Sequence, residues 1–366
     1  MTPSPILSIR DLRKLFPAGR PGIWSKQDRY VHALDGVSFD LEHGGVLALA
    51  GESGCGKSTL ALTLMGLERP TSGQIYFDGK EVSHLQSAGL KALRRQIQMV
   101  FQDPYESLNP LMTVRQIVAE PLGVHGLARS RQEREGRVRK ALEDAGLKPA
   151  EIFLERLPHE LSGGQRQRVV IAAALVLEPR VLLADEPVSM LDVSIRAEIL
   201  NLLIELRQSR GISVLFITHD LATAAYLAER VAVMYLGRIV EIGPIQQVLN
   251  DPQHPYTKAL LSVIPIPNPR QRRERIILKG APPNPIEVPP GCRFHPRCPV
   301  AFERCKLVDP QLTAVSAEHQ AACLLVKEGR GNHKEGETTD SSTTRQGLWF
   351  PLHKYFTKVT RSSPGR

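Results

Sequence analysis

No apolar run in this chain comes near the ~20 residues that a bilayer-spanning helix needs; runs such as 46–50, 181–184 and 214–217 are four or five residues long. The start of the chain has neither a basic region nor a long apolar one, so no signal peptide is expected and the expected compartment is the cytoplasm. Basic residues outnumber acidic ones, for a net charge of +9, but the surplus lies partly in 270–275 and the polar last stretch rather than on one helix face. That distribution argues against a nucleic-acid partner and suits a protein working beside an anionic membrane leaflet. Cysteine is scarce, and the C-x2-C pair of zinc ribbons is missing.

What is present suffices for a large folded core: 366 residues, of which 42% are hydrophobic, are enough for about two domains. The region up to residue 41 reads as antiparallel strands, and 46–50 as a strand buried on both faces. A helix from Ser58 is stopped by Gly66 and Pro70, and a helical subdomain is predicted over about 90–175. Buried strands and helices then alternate as in a parallel sheet with crossover helices, and 231–242, broken at Leu236 and Gly237, closes a hairpin. Composition shifts at Asp251. Residues 251–326, rich in proline and holding four of the five cysteines, are expected to form a small second unit, and 327–366 a disordered tail with an apolar patch at 348–352.

Four motifs follow one another in order. Gly51, Ser53, Gly54, Cys55, Gly56, Lys57 and Ser58 belong to a G-x-x-x-x-G-K-S/T loop between a buried strand and a helix, where inward-turned backbone N–H groups and a helix N-terminus bind phosphate. Lys57 is expected to reach the β and γ phosphates and Ser58 to ligate Mg²⁺. Cys55 is read as a small side chain that fits the loop, with a thiol pKa lowered by nearby N–H dipoles as the alternative. Ser162, Gly163, Gly164 and Gln165 open a second helix of the same phosphate-binding kind. Asp185 ends a buried strand, where its carboxylate would meet Mg²⁺, and Glu186 follows as the candidate general base. His219 closes the last strand-like run.

This set, over roughly residues 6–250, resembles the nucleotide-binding subunit of an ATP-binding cassette (ABC) transporter. The resemblance implies an α/β P-loop NTPase fold: a RecA-like core with an antiparallel β subdomain and an inserted helical subdomain, over 1–250, with a small Cys-rich C-terminal domain behind it. It implies that Thr59 contacts the α phosphate, that Phe16 stacks on adenine, and that His219 touches the γ phosphate. Gln102 would sense Mg²⁺ and the attacking water and link the site to the membrane subunit. Ser162 to Gln165 would cap ATP held by an opposite subunit, with Asp192 in the adjoining D-loop, where Met190 replaces the family's usual alanine.

Three further runs resemble the oligopeptide and dipeptide importers: Q-D-P-Y-E-S-L-N-P at 102–110, H-P-Y-T-K-A-L at 254–260 and G-C-R-F-H-P-R-C-P at 291–299. Tyr105 and the run at 231–237 resemble the second of the two ATPase subunits such systems contain. The implied function is ATP hydrolysis that energises peptide import, with two transmembrane permease subunits, a paralogous ATPase partner (alternatively a second copy), and indirectly an extracellular or periplasmic binding protein. The implied place is peripheral, on the cytoplasmic face of the membrane. A nickel or other small-solute importer is the alternative within the family. A soluble cassette ATPase would need a second cassette or a coiled-coil insertion, which the sequence lacks.

Cys292, Cys298, Cys305 and Cys323 are spaced C-x5-C-x6-C-x17-C. Four thiolates suit Zn²⁺ or an iron-sulfur cluster equally, and the resemblance favours a 4Fe-4S cluster as a staple for this Pro-rich segment. His295 and His319 are read as solvated loop residues, with substitution as metal ligands the alternative.

Overall fold

The computed structural model describes residues 4–19, 29–264 and 275–328. β1 (Leu7–Pro17) and β2 (Tyr30–Leu41) pair antiparallel with Leu7 opposite Leu41. The chain then crosses to a second sheet as β3 (Val46–Ala50) and turns into α1 (Lys57–Leu64). β4 (Ser72–Phe77) and β5 (Lys80–Glu81) return to complete the first sheet in the order β2-β1-β4-β5.

α2 (Ser87–Gln96) leads into β6 (Ile97–Val100). A helical group follows: α3 (Pro104–Ser107), α4 (Val114–His125), α5 (Arg131–Asp144) and α6 (Gly163–Leu175). Asp103, Thr113, Ser130 and Ser162 each cap one of these helices by accepting a backbone N–H of its first turn. β6 departs from the helical expectation for 90–175. Four residues are too few for periodicity to separate a strand from a helix turn, and pairing with the next strand decides the matter.

The second half alternates β7 (Val181–Asp185), α7 (Val193–Arg210), β8 (Ser213–Thr218) and α8 (Leu221–Leu227), then forms the hairpin β9 (Arg230–Tyr235) and β10 (Arg238–Pro244). α9 (Ile245–Asn250), α10 (Pro255–Ser262), β11 (Thr313–Ala314), β12 (Gln320–Ala321) and α11 (Leu324–Glu328) follow. The second sheet is ordered β11-β12-β10-β9-β3-β8-β7-β6, parallel from β9 to β6.

β3, β7 and β8 are buried at every residue. Val46, Ala48, Leu182, Ala184, Val214 and Phe216 face the core shared with the helical group. Their neighbours Leu47, Leu49, Val181, Leu183, Leu215 and Ile217 face the core shared with the antiparallel sheet. Fully burying one such side chain contributes roughly 1.5–3 kcal/mol, so these short runs hold the sheet from both sides. Their register aligns Ala50 with Thr218 and Asp185 with Ile217, so the turns that leave the three strands emerge together.

The Cys-rich segment does not stand as a domain of its own. β12 pairs with β10, extending the main sheet. Tyr256, Leu261 and Phe294 belong to the same core as Val46 and Phe216. Fully buried Glu241 on β10 accepts the N–H groups of Gln253 (2.8 Å) and His254 (2.9 Å) and lies 2.7 Å from His319 Nε2. A short Pro-rich segment has too few apolar side chains to enclose a core, so it completes the core of its neighbour instead. His319 is therefore a buried partner of Glu241, not a solvated loop residue. The tail at 327–366 and its patch at 348–352 lie outside the described residues apart from the end of α11, as does 270–275 apart from Arg275. Among the described residues no helix is long and apolar enough to cross a membrane.

Candidate nucleotide site

A cavity of about 770 Å³ opens where the parallel strands end. Its wall brings together Phe16, Ser53, Gly54, Gly56, Lys57, Ser58, Thr59, Gln102, Glu186 and His219 from five separate stretches of sequence. Gly51 and Cys55 are buried and form no part of that wall.

The loop after β3 is folded against its own carbonyls. Lys57 Nζ, buried, donates to Gly51 O (2.7 Å) and Glu52 O (2.9 Å) and lies 3.7 Å from Cys55 Sγ. Glycine is required at both ends of this turn. A Cβ on Gly51 would stand 2.3 Å from Met234 O, and one on Gly56, where φ is 108°, would stand 2.2 Å from Ala33 O. Burial pushes the Cys55 thiol up despite the Lys57 charge, which agrees with its reading as a small side chain that fits the loop.

Asp185 is buried at the end of β7, with the Ser58 hydroxyl near its carboxylate. Burial raises its carboxyl, and the Glu186 charge adds to the rise while Ser58 and Lys57 oppose it. A desolvated carboxylate beside a hydroxyl, with a carboxamide on the same cavity, is a hard-oxygen donor set that fits Mg²⁺. Glu186 follows with φ 47°, a left-handed conformation uncommon for a side chain of this size. Its N–H bonds Ile217 O (3.0 Å), and its Oε2 accepts Gln102 Nε2 at 3.2 Å and meets His219 Nδ1 at 3.0 Å. The three candidate catalytic residues therefore converge on a single carboxylate oxygen.

Phe16 is half-buried, with Lys14 Nζ 4.5 Å from its ring centre. Ser162, Gly163, Gly164, Gln165 and Asp192 line no part of this cavity. Ser162 and Gln165 close a capping box at the start of α6: Ser162 N–H donates to Gln165 Oε1 (3.0 Å), and Gln165 N–H to Ser162 Oγ (3.3 Å). Asp192 starts α7 without capping it through its side chain.

Leu260 and Pro285 also form part of the cavity wall, and sequence reasoning missed both. The H-P-Y run at 254 was the available signal that this segment does more than join two units. The four C-terminal cysteines are free thiols; burial pushes Cys292 up to about 11, and the other three add to the rise. Among the described residues, however, no group of three or more His, Cys, Asp or Glu side chains is arranged to hold a metal ion. The expected 4Fe-4S cluster, or Zn²⁺, therefore finds no formed site. His295 is turned onto its own loop, with Nδ1 2.9 Å from Cys292 O.

Residues 34–189 match the ABC transporter family, and 240–305 match the oligopeptide/dipeptide transporter C-terminal region. Among curated proteins, the chain is 47% identical to the oligopeptide transport ATP-binding protein AppF of Bacillus subtilis over 323 residues, 87% of this chain and 97% of that one. It is likewise 47% identical to the dipeptide transport ATP-binding protein DppF of Escherichia coli over 322 residues, 88% of this chain and 95% of that one. Among solved structures it resembles the ATP-binding cassette MJ0796 in a dimeric post-hydrolysis state bound to ADP and Pi, with a TM-score of 0.57 and 32% identity over 65% of this chain and 98% of the other. A similar match is to cbiO1 from Clostridium perfringens, with a TM-score of 0.58 and 33% identity over 68% of this chain and 92% of that one. With the phosphate loop, the Asp185 and Glu186 pair and the C-terminal run all in place, the chain belongs to the ATP-binding proteins of the ABC-type oligopeptide/dipeptide transporters.

Proposed function

We propose that this chain is the ATP-hydrolysing subunit of a peptide importer, turning ATP and water into ADP and phosphate to drive di- or oligopeptides through a membrane permease. The observation that carries this reading is the convergence of Gln102 and His219 on Glu186 Oε2, in the cavity whose wall also holds Lys57 and Ser58.

ATP enters with its adenine against Phe16 and its phosphates on the loop, with Thr59 at the α phosphate. Lys57 exchanges the carbonyls of Gly51 and Glu52 for the β and γ oxygens. Ser58 and Asp185, with Gln102 nearby, would hold Mg²⁺, which would supply charge neutralisation to the phosphates. Glu186 accepts the proton of the water that attacks the γ phosphorus, and the bond to the β–γ bridging oxygen breaks to release ADP. His219, oriented by Glu186, donates to the γ phosphate. The start of α6, with Ser162, Gly163, Gly164 and Gln165, and the D-loop Asp192 serve ATP bound by the opposite subunit. That subunit is a paralogous ATPase, or alternatively a second copy. Two transmembrane permease subunits receive the stroke at the cytoplasmic face, and a binding protein outside delivers the peptide.

A 4Fe-4S cluster or Zn²⁺ at Cys292, Cys298, Cys305 and Cys323 is the finer reading of the second unit. Its support is the spacing of the four cysteines in the sequence, not a formed site, and no step is routed through it. The function is tested by recovering the tagged chain from its native membrane and assaying the complex with a panel of peptides and nickel. Recovery of permeases, with ATPase stimulated by peptide, is the expected outcome. Stimulation by nickel alone, or recovery without membrane partners, contradicts it.

A further inference from the structure

The C-terminal segment meets the phosphate loop at Glu52, where it occupies the backbone N–H and the carboxylate. Glu52 lies directly after Gly51. Its N–H donates to the Tyr256 hydroxyl oxygen at 2.8 Å. Its carboxylate takes both arms of the Arg297 guanidinium, at 2.7 and 3.2 Å. Its carbonyl accepts Lys57 Nζ. A loop that binds phosphate through backbone N–H groups works best when those groups are aimed before the ligand arrives, since ordering them afterwards costs affinity. Glu52 is the residue from which that aim is controlled.

Both partners from the C-terminal side are themselves fixed. His254 caps α10 by accepting the Tyr256 N–H on Nδ1 (3.1 Å), and Pro255 occupies the first helical position. The H-P-Y run thus builds a helix start that projects Tyr256 at the loop. The Tyr256 ring is fully buried between Tyr235 (4.8 Å between ring centres) and Phe294 (5.4 Å). Arg297, buried, leaves the turn between His295 and Cys298 with its guanidinium 6.0 Å from the Tyr235 ring centre. A two-armed guanidinium–carboxylate pair sets orientation as well as distance. Further along, Pro285 O accepts His32 N–H (3.0 Å), and Leu260 and Pro285 stand on the cavity wall itself.

We propose that the C-terminal segment braces the phosphate loop, with Tyr256 and Arg297 as positioning residues that hold Glu52 and through it the N–H groups that receive the nucleotide. The proposal rests on the reading of the cavity as an ATP site. It gives the segment a part in nucleotide binding that its distance along the chain conceals.

The test is calorimetric titration of the full-length chain with Mg-ATP, alongside a thermal melt of each variant. Tyr256→Phe and Arg297→Met are each expected to weaken ATP binding about tenfold, the effect of losing one hydrogen-bonded restraint on a buried group. Arg297→Lys recovers part of the loss. In a Glu52→Ala background Arg297→Met costs nothing further, because both act through the same carboxylate. Should Tyr256→Phe not fold, the Arg297 and Glu52 variants carry the test alone. Variants that melt earlier yet bind ATP as tightly as the parent overturn the brace, as do additive losses from Glu52→Ala and Arg297→Met. If the parent chain itself binds no ATP, the reading of the cavity falls, and the brace with it.

Discussion

The phosphate loop and the C-terminal segment meet at Glu52, yet they are held in place in opposite ways. The loop is determined by its neighbours in sequence: a buried strand delivers it, glycines permit its close approach to Met234 and Ala33, and Lys57 ties it to carbonyls five and six positions back. The C-terminal segment is determined by residues far away. Glu241 gathers Gln253, His254 and His319, and the Asp35 carboxylate gathers Arg13 (2.6 Å), Arg238 (3.3 Å) and Arg293. Burial works to raise Asp35, but the guanidiniums, Arg293 foremost, hold it below the usual carboxylate range. Small changes elsewhere can alter the aim of a locally formed turn without unmaking it, whereas a segment held by buried charges depends on every partner being present.

Two changes to the second region would sharpen that contrast. The larger effect is expected from Phe294→Ala. Phe294 is buried among Tyr235, Tyr256 and His254 in the core shared with the main sheet, and truncation of such a ring costs about 3–5 kcal/mol. Urea unfolding should show a single transition at a lower midpoint. A separate early transition that leaves the nucleotide cavity intact would restore the picture of two domains. A smaller effect is expected from pH. Burial lowers His254 from 6.5 to about 4, with Glu241 opposing the drop and Lys258 adding to it. Between those values the unfolded chain binds a proton that the native chain refuses, so stability falls as pH drops through this window, by about 2 kcal/mol at pH 5. His254→Asn keeps a cap acceptor without titrating, and its stability measured at pH 7 and pH 5 should lack that part of the loss. An unchanged slope would mean that other groups carry the acid sensitivity.

The contrast also explains what could be read from the sequence. The loop, the strand ending at Asp185, the helix opening at Ser162 and the hairpin at Leu236 and Gly237 are short-range patterns whose chemistry sits within a few residues. β6 escaped because four residues carry no period, and β11 and β12 because two residues carry none. The pairing of Arg297 with Glu52 spans 245 positions, and no local pattern reports a contact of that separation. His319 looked like a loop histidine because its partner, Glu241, is 78 residues away on a strand that periodicity alone would make wholly apolar. The expected cluster at the four cysteines was a matter of spacing and resemblance, whereas ligation depends on where the side chains point, and here they form no metal-holding group.

The most direct test of the account is Glu186→Gln in the full-length chain, with ATP affinity and ATP turnover measured on the same preparation. Loss of a general base lowers turnover by about 10²–10⁴-fold, and the amide keeps its place beside Gln102 and His219, so turnover should collapse in that range while ATP still binds. Turnover undiminished in the variant would contradict the assignment of Glu186 and the catalytic geometry built around it.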